Sequence, residues 1–117
     1  MENSKMPDCL FCKIVAREIP STVVHENAEA LVIRDITPQA PVHLLVIPKR
    51  HDVNLFDARA AGADFLGRIM LLLCEVAEGQ GLSDFRTVIN SGKQAGQSVF
   101  HLHFHILGGR PMHWPPG

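Results

Sequence analysis

The sequence has little of what would direct a protein to a membrane, an oxidising compartment or a nucleic acid. Its 117 residues contain no apolar run near the roughly 20 residues that cross a bilayer. Lys and Arg number 11 against 12 Asp and Glu, a net charge of −1 with histidine neutral. No broad positive field results, so polyanionic nucleic acid is not an expected partner and any phosphate recognition must be local. Three cysteines are an odd and small number, and MENSKMPDCLFCK lacks the apolar stretch of a secretory leader. The expectation is a cytoplasmic chain without a disulfide framework. Repeats, low-complexity tracts and linkers are missing as well. With 46% hydrophobic and 20% charged residues, one packed domain over 1–117 follows. Residues 1–8 are expected to be disordered, and 108–117, rich in Gly and Pro, to form an irregular tail.

Apolar periodicity sets out the elements. Leu10 to Arg17 reads as a short helix, ended by Ile19-Pro20 because a proline disfavours helix in the residue before it. Thr22–Glu26, Ala30–Arg34 and His43–Pro48 read as strands. Asp64–Ala77 carries a broad apolar stripe and reads as the longest helix, with Cys74 inside its core and a stop at Gly79-Gln80-Gly81. Phe85–Asn90 and Ser98–Leu107 are predicted as the last two strands, joined by the polar loop SGKQAGQ. Five strands in short succession with two helices predict an α+β domain with a mostly antiparallel sheet.

The richest segment is Val99 to Leu107, VFHLHFHIL, in which Phe100, Leu102, Phe104 and Ile106 alternate with His101, His103 and His105. Period two predicts a strand with an apolar face on the core and three imidazoles in a row on the other. An imidazole row can bind a metal or act on phosphate. Neighbours along one strand converge poorly on a tetrahedral ion, so a metal needs ligands from elsewhere. Imidazole is also a nucleophile when neutral and a donor when protonated, and its pKa of about 6.5 lets adjacent copies divide those tasks. Asn90, the glycines Gly92 and Gly96, and Ser98 lie just ahead and can build an anion site from backbone N–H groups. The string GKQAGQS has the wrong order for a P-loop.

Gln97-Ser98-Val99-Phe100-His101-Leu102-His103-Phe104-His105 fits the H-φ-H-φ-H-φ-φ pattern and resembles the histidine triad family. The tail Gly108–Gly117, the stretch Arg34–Pro41 and the stretch His43–His51 resemble its branch of histidine triad nucleotide-binding proteins, the purine nucleoside phosphoramidases. The resemblance implies hydrolysis of P–N bonds in AMP or GMP derivatives, with His103 as nucleophile and no cofactor required for catalysis. It implies that His105 and Asn90 hold the α-phosphate, that Ser98 assists the leaving group, and that His43 orients the triad from behind. Asp35 would accept from ribose hydroxyls, Phe11, Ile14 and Ile33 would wall the purine, and Gln97 and Val99 would belong to the nucleotide site. A homodimer that joins two sheets is also implied, with Trp114 in the tail approaching the partner's site. The same triad could serve a dinucleoside polyphosphate hydrolase, a nucleotidyl transferase or a nucleotide-binding module without turnover.

Cys9 and Cys12 form a C-x-x-C pair, a common half of a zinc site that needs two further ligands. Resemblance to some histidine triad proteins points to His51 and His101 as those ligands, which gives His101 two candidate roles. The other reading is a reduced, partly buried cysteine pair. Lys49, Arg50 and Lys93 read as solvated charges, and His25 and His113 receive no role.

Overall fold

The computed structural model describes residues 6–117. The elements are α1 (Leu10–Val15), β1 (Val23–Glu26), β2 (Ala30–Arg34), β3 (Val42–Pro48), α2 (Leu55–Ala58), α3 (Ala63–Gly79), β4 (Arg86–Val88) and β5 (Phe104–Gly108). All five strands join in one antiparallel sheet of order β1-β2-β3-β5-β4. The α+β expectation therefore holds. The short α2, which the periodicity did not show, is capped by the Asn54 side chain accepting from the N–H groups of Phe56 and Asp57. Of the eight N-terminal residues expected to be disordered, 1–5 lie outside the described residues. Met6 to Cys9 close a turn in which Cys9 N–H donates to the Met6 carbonyl at 3.0 Å.

The sheet separates two apolar clusters, because successive strand residues face opposite sides. On one side α3 lays Phe65, Ile69, Leu72, Leu73 and Val76 against Val32, Leu44, Val46, Leu102, Phe104 and Ile106. On the other, Phe11 and Ile14 of α1 meet Leu31, Ile33, Leu45 and Ile47. Helix α1 is only six residues long, too short to cover that second face. The uncovered part is where the site forms.

Two expectations are corrected by the packing. Cys74 is exposed, because α3 buries the stripe at 65, 69, 72, 73 and 76 and turns 74 away with Met70 and Leu71. Arg50 is not simply solvated: its Nε donates to Asp52 Oδ2 at 2.7 Å, and Asp52 is buried. The Asp52 carbonyl in turn accepts from Leu102 N–H at 2.7 Å.

The last strand is shorter than its alternation predicts. It starts at Phe104, not Ser98: the last register pair is Val46 with Phe104, and beyond it Leu102 N–H donates to the Asp52 carbonyl rather than to β3. Without a ladder partner, residues 98–103 take an irregular path, and Phe100 swings out to 48% exposure instead of joining the core. His101 and His103 thus precede the strand, and only His105 lies on it.

Candidate active site

A cavity of about 360 Å³ opens on the α1 side of the sheet. Its apolar walls include Phe11, Ile14, Ile33 and Leu45, and its polar end carries Asp35, Asn90, Ser98, His103 and His105. That volume falls within the roughly 300–1,000 Å³ usual for small-ligand pockets. A larger groove of about 630 Å³ runs between β4 and the tail, but no imidazole lines it. The chemistry points to the smaller cavity.

The hydrogen bonds fix the tautomer of each ring, because carbonyls only accept and backbone N–H groups only donate. His103 Nδ1 lies 2.7 Å from the His101 carbonyl, so that nitrogen carries the proton and Nε2 keeps its lone pair. His103 Nε2 has no hydrogen-bond partner among the described residues. Gln39 N–H donates to His43 Nδ1 at 3.0 Å, which puts the His43 proton on Nε2. That nitrogen sits 2.9 Å from His105 Nδ1 and 3.4 Å from Asp35 Oδ2. His105 Nδ1 therefore accepts, and its own proton lies on Nε2. A lone pair on His103 and an N–H on His105 stand side by side, with ring centroids 5.1 Å apart. The edge of Phe11 packs against His103 at 4.9 Å, which holds that ring in place.

Burial governs the charge of these rings. Loss of water pushes His103 below its ordinary pKa, opposed by its bond to the His101 carbonyl and by the Asp35 charge. The same desolvation, reinforced by His103 and His43, holds His105 down to about 4. Both are neutral near pH 7, so the lone pair on His103 is available.

His101 leaves the row. It is fully buried, its Nε2 donates to the Pro48 carbonyl at 2.8 Å, and its Nδ1 faces Cys9 Sγ at 3.3 Å and Cys12 Sγ at 3.5 Å. His51 Nδ1 lies 3.1 Å from His101 Nδ1 and 3.4 Å from Cys12 Sγ. Desolvation takes His101 to about 4, with His51 and His103 adding to the fall. Ligand atoms on a tetrahedron of Zn–N about 2.0–2.1 Å and Zn–S about 2.3 Å sit roughly 3.3–3.8 Å apart. The observed spacings are close to those edges, and two thiols with two imidazole nitrogens are the donor set zinc prefers. Cys9, Cys12, His51 and His101 fit such an ion.

The structure brings His103, His105, Ser98, Asn90, Asp35, Ile33, Phe11, Ile14 and Val99 to the cavity. His43 stands behind His105, outside the lining. His101 is not brought to the cavity, so a contact with a ligand there is closed to its side chain; its backbone carbonyl remains involved through His103. Gln97 is likewise kept out of the cavity. It is buried in the preceding loop, where Nε2 donates to the Val53 and Val99 carbonyls and Oε1 accepts from Gly92 N–H. Trp114 is 82% exposed in the tail, away from this chain's cavity. Leu45 and Ile36 line the cavity without having been singled out. Leu45 was detectable in principle, since it pairs with Ile33 across β2 and β3.

A small antiparallel sheet that presents neutral imidazoles beside an apolar cavity defines a histidine-based α+β domain. Residues 16–112 match the model of the HIT domain. The chain belongs to the HIT domain family. The 14 kDa zinc-binding protein of Brassica juncea is 52% identical over 113 residues, covering 94% of this chain and 100% of that one. Adenylylsulfatase HINT1 of Arabidopsis thaliana is 51% identical over 111 residues, covering 92% and 76%. The crystal structure of a HIT family hydrolase from Legionella pneumophila Philadelphia 1 superposes with a TM-score of 0.90 at 47% identity, covering 94% of this chain and 100% of that chain.

Proposed function

We propose that the protein is a purine nucleoside phosphoramidase that cleaves the P–N bond of AMP- or GMP-type phosphoramidates through a nucleotidyl-histidine. The observation that carries this reading is the bond from His103 Nδ1 to the His101 carbonyl, which leaves Nε2 as the only lone pair on that ring. His103 Nε2 attacks the α-phosphorus, the P–N bond breaks, and the amine takes the Ser98 hydroxyl proton as it leaves, which that hydroxyl regains from water. The charge that develops on the imidazole is met by the His101 carbonyl. Water then attacks phosphorus, the P–His103 bond breaks, and the monophosphate and the neutral ring are released. His105 Nε2–H and Asn90 donate to the phosphoryl oxygens, fixed donors where charge builds. Asp35 accepts from the ribose, and the apolar walls take the base.

The name of the Arabidopsis relative favours a second substrate, an adenylyl sulfate, which the same attack would serve with sulfate as leaving group. Turnover of adenosine phosphoramidate and of adenylyl sulfate by wild type and by His103→Ala separates the cases. The reading expects phosphoramidate to be the faster substrate and the variant to lose about 10³-fold or more. Equal activity in the variant overturns it, and AMP binding without turnover of either compound leaves a binding module.

Two further assignments belong to this reading. Zinc held by Cys9, Cys12, His51 and His101 would tie α1 to the turn after β3 and to the triad segment, with no part in the chemical steps; similarity to the zinc-binding protein of Brassica juncea supports it. The protein acts as a homodimer in the cytoplasm. Support for pairing comes from β4, a three-residue sheet edge flanked by the groove of about 630 Å³, and from Phe85 and Trp114, apolar and exposed. No helix among the described residues is long and apolar enough to cross a membrane.

A further inference from the structure

We propose that Arg110 is a positioning residue that, through the Gln39 backbone, sets which ring nitrogen of His43 and His105 carries the proton. Arg110 lies just beyond β5 and is exposed, so its sequence position suggests an ordinary surface charge. Its guanidinium is nonetheless fully directed. Nε and Nη2 both donate to the Gln39 carbonyl, at 3.0 and 2.9 Å, and Nη1 donates to the Pro111 carbonyl at 3.0 Å. A planar fork that spends two donors on one carbonyl fixes that residue's direction as well as its distance.

Gln39 is the residue whose N–H points at His43 Nδ1. Its side chain is held too, Nε2 donating to the Thr37 carbonyl at 3.1 Å, while Thr37 N–H donates to Asp35 Oδ1 at 2.8 Å. From Arg110 to the cavity the contacts therefore run from the guanidinium to the Gln39 carbonyl, across the Gln39 Cα to its N–H, and on to His43 and His105. If Gln39 turned away, His43 Nδ1 would lose its donor, and the Asp35 carboxylate 3.4 Å from Nε2 would be left alone to favour the present tautomer, so the other would gain population. The tautomer with hydrogen on Nδ1 presents a lone pair to His105 Nδ1, so His105 must then turn its own proton inward and remove it from Nε2. The donor facing the cavity would be gone.

The junction is also sterically committed. Gly109 has φ +94°, and a Cβ there would stand 2.9 Å from Pro41 Cβ, so tail and loop are pressed together where Arg110 begins its reach. A second arginine provides the control. Arg86 Nη2 donates to the His113 carbonyl at 2.8 Å and so anchors the tail without touching Gln39.

The relevance to turnover rests on the phosphoramidase reading, but the test does not. Long-range ¹⁵N–¹H spectra of the imidazoles of the free, full-length protein report each ring's tautomer directly. Arg110→Met is expected to move the His43 and His105 nitrogens toward mixed tautomer shifts, Arg110→Lys to restore the wild-type pattern only in part because an ammonium lacks the planar fork, and Arg86→Met to leave it unchanged. With adenosine phosphoramidate, Arg110→Met should lower kcat on the order of tenfold, as for other groups that orient a reactive side chain, with KM little altered. Unchanged His43 and His105 signals in Arg110→Met overturn the proposal, as does an equal change in Arg86→Met. Failure of turnover in wild type would sink the phosphoramidase reading and leave the spectra to decide on Arg110.

Discussion

At His105, burial and charge combine into a pH dependence whose sign is fixed. Its folded pKa, about 4, lies below the ordinary histidine value of 6.5. Between those two values the unfolded chain binds a proton that the folded chain refuses, so stability is full above 6.5 and falls as pH drops toward 4. The urea midpoint of wild type should therefore decrease from pH 7.5 to pH 5, and the decrease should be smaller in His105→Asn. An identical decrease in the variant would assign the effect to other groups. The neighbouring pair shows how two chemically equal residues acquire different tasks. His101 and His103 are separated by one residue, yet one faces two thiols and the other an apolar cavity.

Among the elements, alternation and helical periodicity made most of the fold legible, because β2, β3 and β5 bury residues in the clusters and β1 joins one through Val24. The same rule failed at Ser98–His103. Alternation describes what a strand would bury, whereas strand formation there needs a partner, and past the Val46–Phe104 pair the segment bonds instead to the Asp52 carbonyl and, through the His101 ring, to the Pro48 carbonyl. Helix α2 escaped detection since four residues, Leu55–Ala58, are too few to show a period. Cys74 was misplaced because α3 is apolar on more than its buried stripe. The resemblance put Gln97 in the nucleotide site, and its buried amide spends three hydrogen bonds on backbone groups of the loop. The C-x-x-C pair, by contrast, was informative, since its distant histidines do converge on it. At this scale the zinc reading has a direct check. Chelation of protein purified without a tag should lower its thermal midpoint, and Cys12→Ser should show a lowered midpoint that chelator no longer changes. A wild-type midpoint indifferent to chelator, with less than a tenth of a zinc per chain by elemental analysis, removes the site.

The whole molecule presents an apolar-walled cavity on one side and a tail tied back to its own chain by Arg110 on Gln39 and by Arg86 on the His113 carbonyl. Trp114, 82% exposed, is an unusual place for so large an apolar side chain. If two copies pair and each tail completes the other's site, deletion of residues 114–117 should lower activity severalfold. Mixing the deleted chain with full-length His103→Ala, itself inactive, should then restore turnover, since a mixed dimer contains one site with both an intact His103 and a partner tail. Sedimentation at about twice the 12.9 kDa chain mass should accompany that recovery. Recovery absent in demonstrably mixed dimers would confine the tail to its own subunit. The central claim, however, concerns one atom, His103 Nε2, and rapid quenching in acid-free conditions followed by peptide mass analysis tests it most directly. During turnover of an adenosine phosphoramidate the expected result is a single adenylyl group on the peptide that contains His103, formed and lost at rates that match kcat. Turnover that proceeds with the group on a different residue, or with no adduct at any quench time, would contradict it.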